Sequence, residues 1–84
     1  MNRVPFQAKI NIWNKDKKSL EQSLSCENMR PEQVVDKIRT CLPTDNSGHY
    51  TVHVRMAPDI AIEDRIVFFY YSLKNGIDCQ STFP

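Results

Sequence analysis

A chain of 84 residues, 40% apolar and 25% charged with a formal charge of +1, has the balance of a soluble globular protein and makes one domain over 1–84. That size buries roughly 60–65% of its unfolded surface around one small core, and the near-neutral charge argues against the dense basic stripe that nucleic-acid binding demands. No apolar run approaches the ~18–20 residues of a membrane span, and no long apolar signal region accompanies Arg3 and Pro5, so a cytoplasmic protein is expected.

In chain order, Phe6, Ala8, Ile10 and Ile12 alternate with Gln7, Lys9, Asn11 and Trp13, the period-2 pattern of a half-buried strand. This parity puts Trp13 beside Lys9 and Asn11 on the outer face. A polar cluster, Asn14 to Lys18, reads as a turn. Beyond it Leu20, Gln22, Leu24 and Cys26 alternate with Glu21, Ser23 and Ser25, predicting a weakly apolar second strand suited to a sheet edge.

The spacing predicts a helix over 31–42. Pro31 suits the first helical position, Glu32 favours the positive end of the helix dipole, and Val34, Val35, Ile38, Cys41 and Leu42 form one apolar stripe. Pro43 stops it, and Thr44 to Gly48 is a loop. Tyr50, Val52, Val54 and Met56 alternate with His49, Thr51, His53 and Arg55, predicting a third strand.

The stretch 59–75 is open to two readings. Asp59 to Ile62 reads as a short strand, yet Asp59 is also placed to cap a helix carrying Ile62, Ile66, Phe69, Tyr70 and Leu73 to Gly76. Periodicity does not decide, because Ile66 to Tyr71 is continuously apolar or aromatic. A small core needs large side chains, so most of Phe68 to Tyr71 is expected to be buried. Ile77, Cys79 and Phe83 alternate with polar residues as a terminal strand.

No catalytic constellation appears. Gly48 and Gly76 are the only glycines, His49 and His53 have no companions at metal-ligand spacing, and Glu63-Asp64 reads as a solvated corner. Cys26, Cys41 and Cys79 make neither a CxxC pair nor an even disulfide set and are expected to be reduced and buried. The expectation is a non-enzyme without cofactor or metal. Charge is uneven along the chain: residues 1–42 carry eight Lys/Arg against five acids, and residues 43–84 carry three against five. The basic half suits an acidic protein partner.

The segments Lys9 to Ile12, Pro31 to Arg39, Ile60 to Asp64 and Val67 to Tyr70 together resemble Ras-association domains. The resemblance is to those of Ral-type guanine-nucleotide exchange factors, and more distantly to the Ras-binding domains of phosphoinositide kinases. It implies an α+β fold, a ubiquitin-like β-grasp roll whose mixed sheet has one main helix packed across it. It also implies that the second strand lies at the edge and pairs with a strand of a GTP-loaded Ras-family small GTPase, extending one sheet across two proteins in signal transduction. Lys9, Lys17, Lys18, Lys37 and Arg39 are then the partner-binding residues, and a lipid-anchored GTPase would recruit the chain to a membrane. Glu21 departs from the pattern, since an outward acid on the second strand meets an acidic GTPase with the wrong sign.

Two alternatives stand beside this. One is a docking module of the same fold that touches no GTPase. The other is a small bacterial or phage regulator or inhibitor, comparable in arrangement to the DNA-damage-inducible inhibitor family, though Ile66 to Leu73 lacks that family's acids. One continuous helix over 66–73 counts against the Ras-association reading.

Overall fold

The computed structural model describes residues 6–42 and 49–82; Arg3, Pro5, Pro43, the expected loop Thr44 to Gly48, and Phe83 lie outside them. The elements run β1 (Phe6–Asn14), β2 (Ser19–Met29), α1 (Pro31–Cys41), β3 (Tyr50–Met56), α2 (Ile62–Lys74) and β4 (Cys79–Thr82). The sheet order is β2-β1-β3-β4, with β1 antiparallel to both neighbours and β3 parallel to β4. The fold is therefore α+β with a mixed four-stranded sheet.

The alternation in β1 is what layers the molecule. Phe6, Ala8, Ile10 and Ile12 are all buried, together with Val52, Val54 and Met56 of β3. Val34, Val35 and Ile38 of α1 and Phe68 of α2 join them in one core, so both helices cover the same face. The rings of Phe6 and Phe68 stack at 5.4 Å. Each of these Val, Ile, Met and Phe side chains contributes about 1.5–3 kcal/mol through burial.

The hairpin is organised by Asn14, which is buried. Its Oδ1 accepts the backbone N–H groups of Asp16 (2.9 Å) and Lys17 (3.1 Å), the side-chain mimic of a turn, and Lys18 closes the loop at φ 50°. Two irregularities interrupt the β1–β2 ladder. Trp13 faces Leu20 while Ile12 faces Gln22, so Glu21 is left over; near the other end Phe6 faces Met29 while Ala8 faces Cys26, and Asn28 adopts φ 55°. The first bulge corrects the parity read for Glu21. Its Oε1 accepts a hydrogen bond from Nδ2 of Asn14 at 3.0 Å, whereas Ser23 and Ser25 keep their places opposite Asn11 and Lys9.

α1 begins as expected: Pro31 is its first residue, and Gln33 Oε1 reaches back to accept the N–H of Arg30 at 2.9 Å. The expectation of one main helix is incomplete, because 62–74 is a second continuous helix. A continuously apolar run suits a buried strand or a helix equally. As a helix it buries Asp64, Phe68 and Ser72 at i, i+4 spacing, half-buries Phe69 and Tyr71, and turns Tyr70 outward. The cap is Ala61 rather than Asp59, and Asp64 is only 9% exposed, so Glu63-Asp64 is not a wholly solvated corner.

The C-terminus of α2 is closed by Gly76 at φ 68°. Gly76 N–H donates to Leu73 O (3.0 Å), Ile77 N–H donates to Ser72 O (2.9 Å), and Ile77 is buried. This pair of reversed bonds with an apolar residue behind it is the Schellman arrangement. The final strand then starts at Cys79, two residues later than the alternation suggests.

Cys26, Cys41 and Cys79 are free thiols, Cys26 buried and the others half-buried. Burial pushes the Cys26 thiol above its ordinary value, with the Lys37 charge opposing; burial likewise raises Cys79, opposed by its hydrogen bond with Ser72. No helix among the described residues is long and apolar enough to cross a membrane.

Two outcomes are expected. Gly76→Ala, where a Cβ meets nothing within 4 Å, destabilises through the left-handed backbone alone, by about 1 kcal/mol in urea unfolding. Because the fold favours the neutral thiols, the stability they contribute holds below the ordinary value of 9.0 and declines as pH rises past it. Correspondingly, iodoacetamide at about pH 8 modifies Cys26 and Cys79 more slowly in the native protein than in urea, read by peptide mass.

Candidate functional site

The face of the sheet opposite the helices carries the odd-numbered side chains of β1. Gln7, Lys9, Asn11 and Trp13 are all exposed there. Register sets their neighbours: Lys9 lies between Ser25 and Arg55, Asn11 between Ser23 and His53, and Trp13 between Leu20 and Thr51. Ser23 Oγ donates to Asn11 Oδ1 at 2.8 Å, which ties β2 to β1 on this face. Trp13 and Leu20, 38% and 52% exposed, form its apolar corner.

Lys9 and Arg55 are cross-strand partners of like charge, and neither forms an ion pair with another described residue. Such an opposition on adjacent strands costs about 0.2–1 kcal/mol. The two cations and Ser25 line an open groove of about 410 Å³, with Glu27 also on its wall. The groove thus carries two cations against one carboxylate.

Beside this face runs the outer edge of β2, which pairs with β1 on one side and with no described strand on the other. Between the two bulges, Gln22 to Cys26 pair without a break against Ile12 to Ala8. These five residues carry no charge and no proline. Natural edges are blocked by bulges, charges or prolines; here both bulges sit outside this stretch, so it remains a regular template for another strand.

The sequence-predicted residues distribute unequally around this edge. Lys9 flanks β2 on the open face through its pairing with Ser25. Lys37 flanks it on the helical side, near enough to Cys26 to oppose the rise in that thiol's pKa. Arg39 points elsewhere: residues i and i+2 of a helix diverge by about 200°, and its guanidinium pairs with Asp36 at 3.6 Å and donates to Asn75 Oδ1 at 3.4 Å. Lys17 and Lys18 are exposed in the hairpin turn beyond Asn14, roughly 17 Å or more along β1 from Lys9. Lys9 thus stands beside the edge strand on the open face, the Lys37 charge acts on Cys26 of that strand from the helical side, and the other three do not join them.

Arg55 escaped the sequence reading. Its outward parity was visible, but pairing with Lys9 depends on which strands become neighbours and in what register. His49 Nδ1 lies 2.7 Å from Asp16 Oδ2 at the hairpin end, away from His53. Among the described residues no group of three or more metal-binding side chains occurs.

No family model, curated protein or solved structure matches this chain.

The Lys9–Arg55 opposition generates a prediction that separates stability from binding. Lys9→Glu replaces a like pair with an opposite one and raises the unfolding free energy by about 0.2–1 kcal/mol. Equilibrium urea unfolding at low ionic strength measures the gain, and about 0.5 M salt diminishes it.

Proposed function

We propose that this chain is a non-catalytic protein-interaction module that takes a strand of an acidic partner onto the free edge of β2, with Lys9 and Lys37 on either side. The observation that carries the proposal is the uninterrupted, uncharged run Gln22 to Cys26 at the sheet edge. Backbone hydrogen bonds along it supply register and affinity. The flanking cations accelerate encounter with an acidic surface and disfavour a basic one.

The more specific reading is a GTP-loaded Ras-family GTPase as the partner and a ubiquitin-like β-grasp as the fold. Its support is the sequence resemblance, the opening order hairpin then helix, and the position of β2 at the edge. Bonding of Glu21 to Asn14 also softens the charge objection, because that carboxylate is engaged at the bulge. The continuous helix over 62–74 weighs on the other side. It favours a second reading, a small regulator or inhibitor that occupies a partner's sheet edge in the same manner. Both readings use β2, and they differ in whether the bound nucleotide of a GTPase matters.

A pull-down against a panel of Ras-family proteins, each loaded with GTP analogue or GDP, separates them. The GTPase reading expects binding only to the GTP-analogue form, weakened about tenfold or more by Lys9→Glu; no nucleotide dependence across the panel removes it. Strand addition is tested with single prolines over Gln22 to Ser25. Alternate positions direct their N–H to the free edge, so prolines there retain the fold by circular dichroism and abolish partner binding. Retained binding by every folded proline variant overturns the edge proposal.

A further inference from the structure

Backbone hydrogen bonds fix how Lys9, Arg55 and Ser25 stand together on the open face. Ala57 N–H donates to Gln7 O at 3.0 Å and Lys15 N–H donates to His49 O at 2.8 Å, so the odd-numbered residues of β1 turn their backbone groups toward β3. Lys9 and Arg55 are therefore a hydrogen-bonded antiparallel pair, with Cα atoms about 5.5 Å apart, and Lys9 and Ser25 are the closer, non-hydrogen-bonded kind, at about 4.5 Å. The three exposed side chains make one row across β2, β1 and β3. Among the described residues none of them has a hydrogen-bond or ion-pair partner. Two like charges opposed in this way repel each other, and an anion that touches both relieves the repulsion.

We infer that the groove lined by this row is a binding site for a phosphomonoester. The guanidinium of Arg55 offers a planar fork of N–H donors that matches two phosphate oxygens, and the ammonium of Lys9 supplies a point charge to a third. The Ser25 hydroxyl and the amide of Gln7, also on the wall, add uncharged donors. A phosphomonoester carries about −1.5 to −2 charges at pH 7, which suits two cations. A carboxylate, with one charge and two oxygens, satisfies only one of them.

The remaining walls are consistent with that ligand. Glu27 contributes the carboxylate, but it is exposed and pairs with neither cation, so it does not neutralise them. The volume of about 410 Å³ exceeds what a phosphoryl group fills and leaves room for a small organic substituent beside Pro58. Ser25 belongs both to this groove and to the edge of β2, yet the site needs only side chains of the open face. It therefore does not depend on strand uptake. The phosphoryl group arrives either on a small phosphorylated molecule or on a phosphorylated residue of the strand docked beside Ser25.

Amide chemical-shift titration of the full chain with phosphoserine blocked at both termini, at about pH 7.5 and a constant ionic strength of about 0.1 M, tests the inference. The expected result is a saturable shift centred on Lys9, Ser25 and Arg55. Lys9→Gln and Arg55→Gln, whose folds circular dichroism verifies, each raise the dissociation constant by about tenfold or more. Glu27→Gln lowers it, and Lys17→Gln in the hairpin turn leaves it unchanged. Folded β2 proline variants that keep Ser25 still bind blocked phosphoserine, so failure of the edge proposal leaves this site standing. A phosphoserine peptide that binds more tightly than blocked phosphoserine, and loses the surplus in those proline variants, assigns the phosphate to a protein partner; a peptide that binds no more tightly assigns it to a small molecule. Shifts that do not saturate, equal affinity for blocked glutamate, or a dissociation constant indifferent to both Lys9→Gln and Arg55→Gln overturns the inference.

Discussion

Both sides of this molecule depend on the period-2 alternation of β1. Because β1 is an interior strand with antiparallel neighbours on either side, its even-numbered residues set the floor on which both helices pack. Its odd-numbered residues define the open face and fix which side chains of β2 and β3 stand beside them. A slip of one residue would exchange Ile10 for Lys9 in the core, so the burial of Phe6, Ala8, Ile10 and Ile12 also determines where the surface charge appears. The cationic pair on the open face is a by-product of the same register that builds the core.

The polar side chains around the hairpin reinforce that register. Asn14 caps the turn with one end of its amide and holds Glu21 with the other, so the bulge is fastened to the loop that generates it. The fastening turns an acid to the bulge and leaves the stretch between the two irregularities regular and uncharged. The open edge of β2 therefore follows from how the hairpin is closed.

The elements with a single dominant signal were legible in the sequence: β1, α1 and β3 follow from alternation or from Pro31 and the apolar stripe, and their observed bounds are close to those expected. The run Ile66 to Tyr71 was not, because an unbroken apolar stretch carries no period. What distinguishes the helix is tertiary, namely the stacking of Phe68 on Phe6 and the closure at Gly76. The site was legible only by halves. Lys9 could be placed outward from parity alone, while its opposition to Arg55 required the strand order. The proximity of Lys37 to Cys26 required the docking angle of α1, which no local pattern encodes. Glu21 was misplaced because a bulge inserts one residue and inverts the parity beyond it.

The shortest element has a consequence for stoichiometry. β4 contributes four residues, parallel to β3, and covers the side of β3 that would otherwise lie open. A sheet with two long open margins offers a head and a tail, and head-to-tail addition propagates into filaments whenever its rotation fails to close. With β4 seated, among the described residues only β2 presents a long margin. Loss of β4 would uncover the margin of β3 as a second long open edge, without altering a single residue of β2.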